Sequence, residues 1–288
     1  MKNLFLFLFL SNFATSFSQS QPQFHKDSVS IIYKIIDTSA LKLDIYYPLD
    51  FNKKKIYPAI IFFFGGGWIN GSLSQFLNHA KYFSSRGLIT ILADYRVSSK
   101  HKTTPFEAVK DGKSAIRFLR MNSKKFYLNR NKIIAAGGSA GAHIAAAADL
   151  TILEEEGENV SISSRPDALV LFNPVFDNGP GGYGYDRIGS RYPEISPLHN
   201  IKKGAAPTIV FFGTKDDLVP VKTAKLYKSK MEEVGSRCDL FLYPDQKHGF
   251  FNYKGDLKYF KETVQQADIF LESLGYLKGK PTIANFKF

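Results

Sequence analysis

A serine framed by glycines, a histidine in a short turn and a loop bearing two adjacent aspartates are the residues of this chain that could do covalent chemistry together. The run Gly137-Gly138-Ser139-Ala140-Gly141 holds Gly-x-Ser-x-Gly centred on Ser139. Three fixed residues recur too often by chance to carry weight alone, so the setting decides. An apolar strand-like run at 133–136 precedes the motif, and a helix-forming run at 142–150 follows it. A strand that enters a helix through so tight a turn presents the serine hydroxyl at the carboxyl edge of a sheet, where the helix dipole favours developing negative charge. Nearby glycines relieve the clashes that such a turn creates.

A serine hydroxyl is a weak nucleophile and needs a base within reach, with a third group to fix the tautomer of that base. Of the six histidines, His25 lies near the expected mature terminus, His79 and His101 precede the serine, and His199 falls in a loop region. His248 is the expected base, because the turn at 246–250 follows a strand, precedes the last helix, and so lies at the same sheet edge as Ser139. His143 sits four residues past the serine, on the helix, and is assigned to packing or hydrogen bonding. The loop at 213–220 (GTKDDLVP) follows an apolar strand and offers Asp216 and Asp217. Ser139, Asp216 and His248 then run in the order nucleophile, acid, base, the order of one class of serine triad and not of others.

Hydrolysis through such a triad also requires backbone N–H groups for the oxyanion. Ala140, directly after the nucleophile, supplies one. Phe64-Gly65-Gly66-Gly67-Trp68 follows a buried strand, and three consecutive glycines are costly in backbone entropy unless the backbone must approach something closely. A phosphate loop is excluded, because the Lys-Ser/Thr ending and the dinucleotide spacing are both missing.

These groups need a rigid frame, and the chain supplies the pattern of one. Dense apolar runs at 59–64, 88–93, 133–136, 168–172, 208–212 and 239–243 alternate with helical patterns at 106–121, 221–234 and 259–274. That alternation predicts an α/β fold with a mostly parallel sheet and helices on both faces. Segments 29–36 and 41–47 show looser alternation and are expected to form an antiparallel edge. Residues 177–197, rich in Gly, Pro and Tyr and without a period, are expected to form a lid or a wall facing the substrate.

The 288 residues, 44% apolar, suffice for one large core without metals or disulfides. Met1 and Lys2, the apolar run at 4–10, and Ser16 and Ser18 predict a secretory signal over residues 1–18, followed by a single catalytic domain over 19–288. The apolar run is far short of the roughly 18 to 20 residues that span a bilayer, so stable membrane anchoring is not expected. Lys2 is the only charged residue in that leader, so its removal takes the net charge from +12 to +11. The positive charge is not gathered into stripes with interleaved aromatics, and the run Lys53 to Lys55 reads as a solvated loop, so no nucleic-acid partner is predicted. The charge does predict long-range attraction for an anionic or wall-associated substrate. Cys238 is the single cysteine and no metal-binding spacing is present.

Taken together, FGGGW at 64–68, ADYRV at 93–97, GGSAGAH at 137–143, GTKDDLVP at 213–220 and HGF at 248–250 resemble the α/β-hydrolase esterase and lipase families. The likeness is to the hormone-sensitive-lipase-like group and the bacterial acetyl or feruloyl esterases, and it runs from about Leu41 to Leu274. The resemblance implies a Ser139, Asp216, His248 triad, with Asp216 chosen over Asp217 because the family's acid stands three residues after the glycine. It implies Gly66, Gly67 and Ala140 as oxyanion donors. Phe64 departs from the pattern: relatives carry a histidine there that supports the glycine loop, and its loss is expected to alter loop position or substrate preference. Asp94-Tyr95-Arg96 reads as structural. The expected function is an exported serine esterase cleaving short acyl esters, acetyl or feruloyl, on a polysaccharide or a small molecule, with no cofactor. A prolyl-oligopeptidase-like peptidase would need a large extra domain, and a catalytically dead binding fold is opposed by the complete triad.

Overall fold

The computed structural model describes residues 28–36 and 38–288. The expected signal segment therefore lies outside the described residues. Eight strands form one sheet: β1 (Val29–Ile36), β2 (Ser39–Tyr46), β3 (Tyr57–Phe63), β4 (Ile89–Ala93), β5 (Leu128–Gly138), β6 (Ala168–Phe172), β7 (Thr208–Gly213) and β8 (Cys238–Tyr243), in the spatial order β1-β2-β4-β3-β5-β6-β7-β8. β1 pairs antiparallel with β2, and β2 antiparallel with β4. Every later pairing is parallel.

The principal helices are α1 (Leu77–Ser85), α3 (Pro105–Met121), α4 (Ala140–Leu150), α6 (Val221–Glu233) and α7 (Leu257–Ser273), with single turns at α2 (Ser98–His101) and α5 (Tyr185–Ile188). The period of two along the strands divides the core between the two faces. Ala59, Ile61 and Phe63 of β3 pack with α3, α4 and α6, whereas Ile60 and Phe62 face α1 and α7. Burying each such aliphatic or aromatic side chain contributes about 1.5–3 kcal/mol, which is what holds two helical layers to a sheet carrying few polar residues.

All of the expected strands and long helices are present, and the differences have local causes. α3 starts at Pro105 because Thr104 and Glu107 cap it reciprocally, Glu107 accepting from Thr104 N at 2.8 Å. β5 extends back to Leu128, which pairs with Tyr57 beyond a break in register. α1 was not expected from the sequence. It is short and has no side-chain cap, and it holds its place by burying His79, Ala80, Tyr82 and Phe83. Residues 177–197 are not a bare loop either, since they fold into α5 and two 3₁₀ turns. Among the described residues no helix is long and apolar enough to cross a membrane.

Asp94-Tyr95-Arg96 has the structural place expected of it. Arg96 donates to Asp111 of α3 through Nε at 2.8 Å and Nη2 at 2.9 Å, and Lys34 of β1 donates to the same carboxylate at 2.7 Å. Asp111 is fully buried, so the two cations also satisfy a carboxylate that could not otherwise remain charged. Removing it with Asp111→Ala is expected to leave Arg96 and Lys34 with Glu155 as their one remaining shared carboxylate, at 2.9 and 2.7 Å, and to cost about 3 kcal/mol in urea unfolding. A loss under about 1 kcal/mol would show that the network is not holding the antiparallel edge to α3.

His79 is buried beneath the sheet among Phe62, Phe76, Phe172, Phe251 and Phe260. Neither ring nitrogen has a hydrogen-bond partner among the described residues. Burial pushes its pKa down to about 3, so the folded chain holds it neutral. The unfolded chain binds that proton near pH 6.5, so stability is fully present above this value and falls by up to about 1.4 kcal/mol per pH unit as pH drops toward 3. His79→Phe is expected to lose visibly less stability than the wild type between pH 6.5 and 5, by urea titration. Parallel losses in the two proteins would refute a buried neutral histidine at this position.

Candidate active site

Ser139 occupies the junction of β5 and α4 with φ 53° and ψ −117°, a region that a non-glycine residue enters only under strain. Its N–H donates to Phe172 O at 2.9 Å and its C=O accepts from His143 N at 3.0 Å, so the turn is fastened on both sides. Gly141 explains why the motif needs its last glycine: a Cβ there would sit 2.1 Å from Phe63 O. The helix can start this close to β3 only without a side chain at that position.

The loop after β7 and the turn after β8 converge on this serine. His248 Nε2 lies 2.8 Å from Ser139 Oγ, and His248 Nδ1 lies 2.7 Å from Asp216 Oδ2. A carboxylate accepts, so Nδ1 carries the proton and Nε2 is left as the acceptor for the serine hydroxyl. Asp216 is itself held, its Oδ1 accepting from Leu218 N at 3.0 Å and Val219 N at 2.9 Å. Its carboxyl is fully buried, whereas Asp217 is exposed, so of the two adjacent aspartates only Asp216 faces the histidine.

The glycine loop lies across from this pair. Gly66 adopts φ 132°, and a Cβ there would fall 2.2 Å from Asn70 O, so the turn admits only glycine. Among the described residues no protein group accepts from the N–H of Gly66, Gly67 or Ala140. Phe64 stacks on Tyr95 with centroids 4.1 Å apart, and Tyr95 Oη donates to Phe64 O at 2.7 Å. Aromatic stacking and one buried hydrogen bond thus support the loop at the position where the resembled families carry a histidine. Tyr95, read from the sequence as part of a structural corner, acts directly on this loop.

His143 is placed as expected. It is buried against the edge of Trp68, with centroids 4.9 Å apart, and its Nε2 bonds Asn178 Oδ1 at 2.8 Å. Burial pushes its pKa down to about 4. The 177–197 segment forms a wall of the cleft: Tyr183 lines it, and Arg187 donates to Gly67 O while lying over the Trp68 and Tyr183 rings.

Three polar residues near the site were not singled out from sequence. Asn173 follows β6 at φ 33°, fully buried, with Nδ2 3.2 Å from His248 Nε2 and Oδ1 accepting from Gly249 N at 3.0 Å. An asparagine directly after a buried strand, at the edge where the serine emerges, was the available signal, since asparagine tolerates positive φ. Gln75 and Asn252 join the glycine loop to the histidine turn through side-chain amides. Nothing in their local sequence marks them. The cleft enclosed by these elements holds about 270 Å³, with Ile69, Leu218 and Phe251 contributing apolar wall.

Comparison with known proteins agrees with this architecture. The family description BD-FAE matches residues 43–171, and the dienelactone hydrolase family matches residues 177–272. Esterase LipC of Mycobacterium tuberculosis is 29% identical over 240 residues, covering 74% of this chain and 58% of that protein. An acetylxylan esterase of Xylanibacter ruminicola is 25% identical over 233 residues, covering 75% of this chain and 45% of its own. The chain thus spans about half the length of these curated relatives. Among solved structures, Thermogutta terrifontis esterase 2 phosphorylated by paraoxon superposes with a TM-score of 0.84 at 40% identity, covering 88% of this chain and 96% of that one. The butyrate-bound form of the same organism's Est2 gives 0.84 at 38% identity, covering 88% and 96%. With nearly the whole of that structure matched at this identity, the chain belongs to the α/β-hydrolase esterases.

Proposed function

We propose that this protein is an exported carboxylic-ester hydrolase that removes short acyl groups, acetyl above all, through an acyl-enzyme on Ser139. The observation that carries the reading is the continuous hydrogen-bonded chain from Asp216 through His248 to Ser139, opening onto the glycine loop. In this mechanism Ser139 Oγ attacks the ester carbonyl carbon as His248 Nε2 takes its proton. Asp216 stabilises the resulting imidazolium, and the oxyanion receives hydrogen bonds from Gly66, Gly67 and Ala140 N–H. His248 then passes the proton to the departing alkoxide, which leaves as the alcohol. A water molecule, deprotonated by His248, attacks the acyl-serine, and the acid departs as Ser139 regains its proton.

The size of the cleft supports a short acyl group, since about 270 Å³ lies below the roughly 300–1,000 Å³ of sites that enclose drug-sized ligands. The leader sequence supports export, and likeness to an acetylxylan esterase supports a polysaccharide as the alcohol partner. Hydrolysis of p-nitrophenyl acetate, butyrate and octanoate, with acetate release from acetylated xylan, tests the proposal. Rates are expected to fall as the acyl chain lengthens, and Ser139→Ala is expected to lower kcat by a factor on the order of 10⁵–10⁶. Substantial turnover by Ser139→Ala would sink the mechanism. Paraoxon is expected to add its diethylphosphoryl group to the peptide containing Ser139 and to no peptide of Ser139→Ala, as read by mass spectrometry.

The adjacent aspartates give a sharper test. Asp216→Asn is expected to reduce kcat by roughly 10⁴, because the amide favours the wrong imidazole tautomer, whereas Asp217→Asn stays within a few-fold of wild type. Equal losses from the two changes would mean that burial and contact had misidentified the orienting acid.

A further inference from the structure

Two side chains beside the cleft have no part in the proton transfers above. Gln75 Oε1 accepts from Gly65 N at 2.6 Å, and Gln75 Nε2 donates to Asn252 Oδ1 at 3.0 Å. Asn252 Nδ2 donates to Gly249 O at 2.8 Å, next to His248 in the chain. The path runs from the residue before the oxyanion donors to the residue after the base, joining segments 177 positions apart.

Each end of the path is a backbone group of fixed polarity. The Gly65 N–H demands the oxygen of Gln75, and the Gly249 carbonyl demands the nitrogen of Asn252. With both ends so oriented, the middle contact sets an amide nitrogen against an amide oxygen. Rotating either amide would put like atoms in contact and leave a backbone group unpaired, so the bridge has one favourable arrangement. The loops it connects leave β3 and β8, which are not neighbours in the sheet. Among the described residues it is the polar side-chain link between them, with Phe76 stacked on Phe251 beneath at 5.8 Å.

We infer that Gln75 and Asn252 are positioning residues that set the oxyanion donors against His248, so that the attacking and stabilising halves of the site keep a fixed spacing. The inference rests on the triad proposed above. Oxyanion donors act only if they meet the oxygen in the transition state, so slackening the bridge should reduce kcat and leave ground-state binding largely intact.

A kinetic double-mutant cycle with p-nitrophenyl acetate tests this, using Gln75→Leu, Asn252→Leu and the double variant. Each single change is expected to lower kcat about tenfold to a hundredfold with KM within about threefold, and the double is expected to be no slower than the slower single. Gln75→Glu forms a second cycle, because it keeps an acceptor for Gly65 but cannot donate to Asn252. It is expected to lower kcat alone and to have no further effect beside Asn252→Leu. If the leucine variants do not fold, as judged by thermal melting, the Gln75→Glu and Asn252→Asp cycle decides instead. Multiplicative losses, a change confined to KM, or full kcat in Gln75→Glu would overturn the coupling. Loss of Ser139 dependence in the wild type would instead remove the triad reading and leave the bridge as a fold contact.

Discussion

Ser139 is held at φ 53° between a strand and a helix, and the rest of the site is arranged around that one strained residue. Such a conformation costs of order 1–3 kcal/mol and persists only where its surroundings fix it from several sides. Here β6 takes the serine N–H through Phe172 O, and the first turn of α4 takes its carbonyl. Gly141 lets that turn lie against the Phe63 and Phe64 carbonyls. Moving the helix away to admit a side chain would shift Ala140 N, and with it one of the proposed oxyanion donors.

The parallel order of β3, β5, β6, β7 and β8 then delivers every other group to the same edge. The glycine loop follows β3, Asn173 follows β6, Asp216 follows β7 and His248 follows β8. None of these groups lies within a strand. The sheet interior is therefore free to be apolar, and the polar groups gather where backbone N–H and C=O groups are already unpaired and can orient them. Asp216 shows this most clearly, since it receives two backbone N–H groups from its own loop as well as the histidine.

Much of this arrangement was legible in the sequence because it is local. Apolar runs and their spacing gave the strands, and the Gly-x-Ser-x-Gly turn marked Ser139 from its immediate neighbours. The His248 turn and the 213–220 loop could be placed because each directly follows a strand. What escaped depends on contacts far apart in the chain. Gln75 and Asn252 are ordinary polar residues until folding brings them together, and α1 owes its existence to a buried face more than to its own propensity. Residues 177–197 showed no period because short turns have none, although Tyr183 and Arg187 fix that segment against Trp68 and Gly67. The choice between Asp216 and Asp217 rested on likeness to relatives until burial separated them.

Phe64 alters the character of the glycine loop beyond its position. A histidine there would change its charge within the range in which cells and their surroundings vary. In this chain the loop is held by an aromatic stack, by the amide of Gln75, by the guanidinium of Arg187 and by the Tyr95 hydroxyl, whose burial pushes its pKa well above the ordinary phenol value. The buried phenol keeps its proton through mildly alkaline conditions, and neither the aromatic stack nor the amide carries a titrating proton. The contacts that hold the glycine loop are therefore deaf to ambient acidity, which a histidine in the place of Phe64 would not have been.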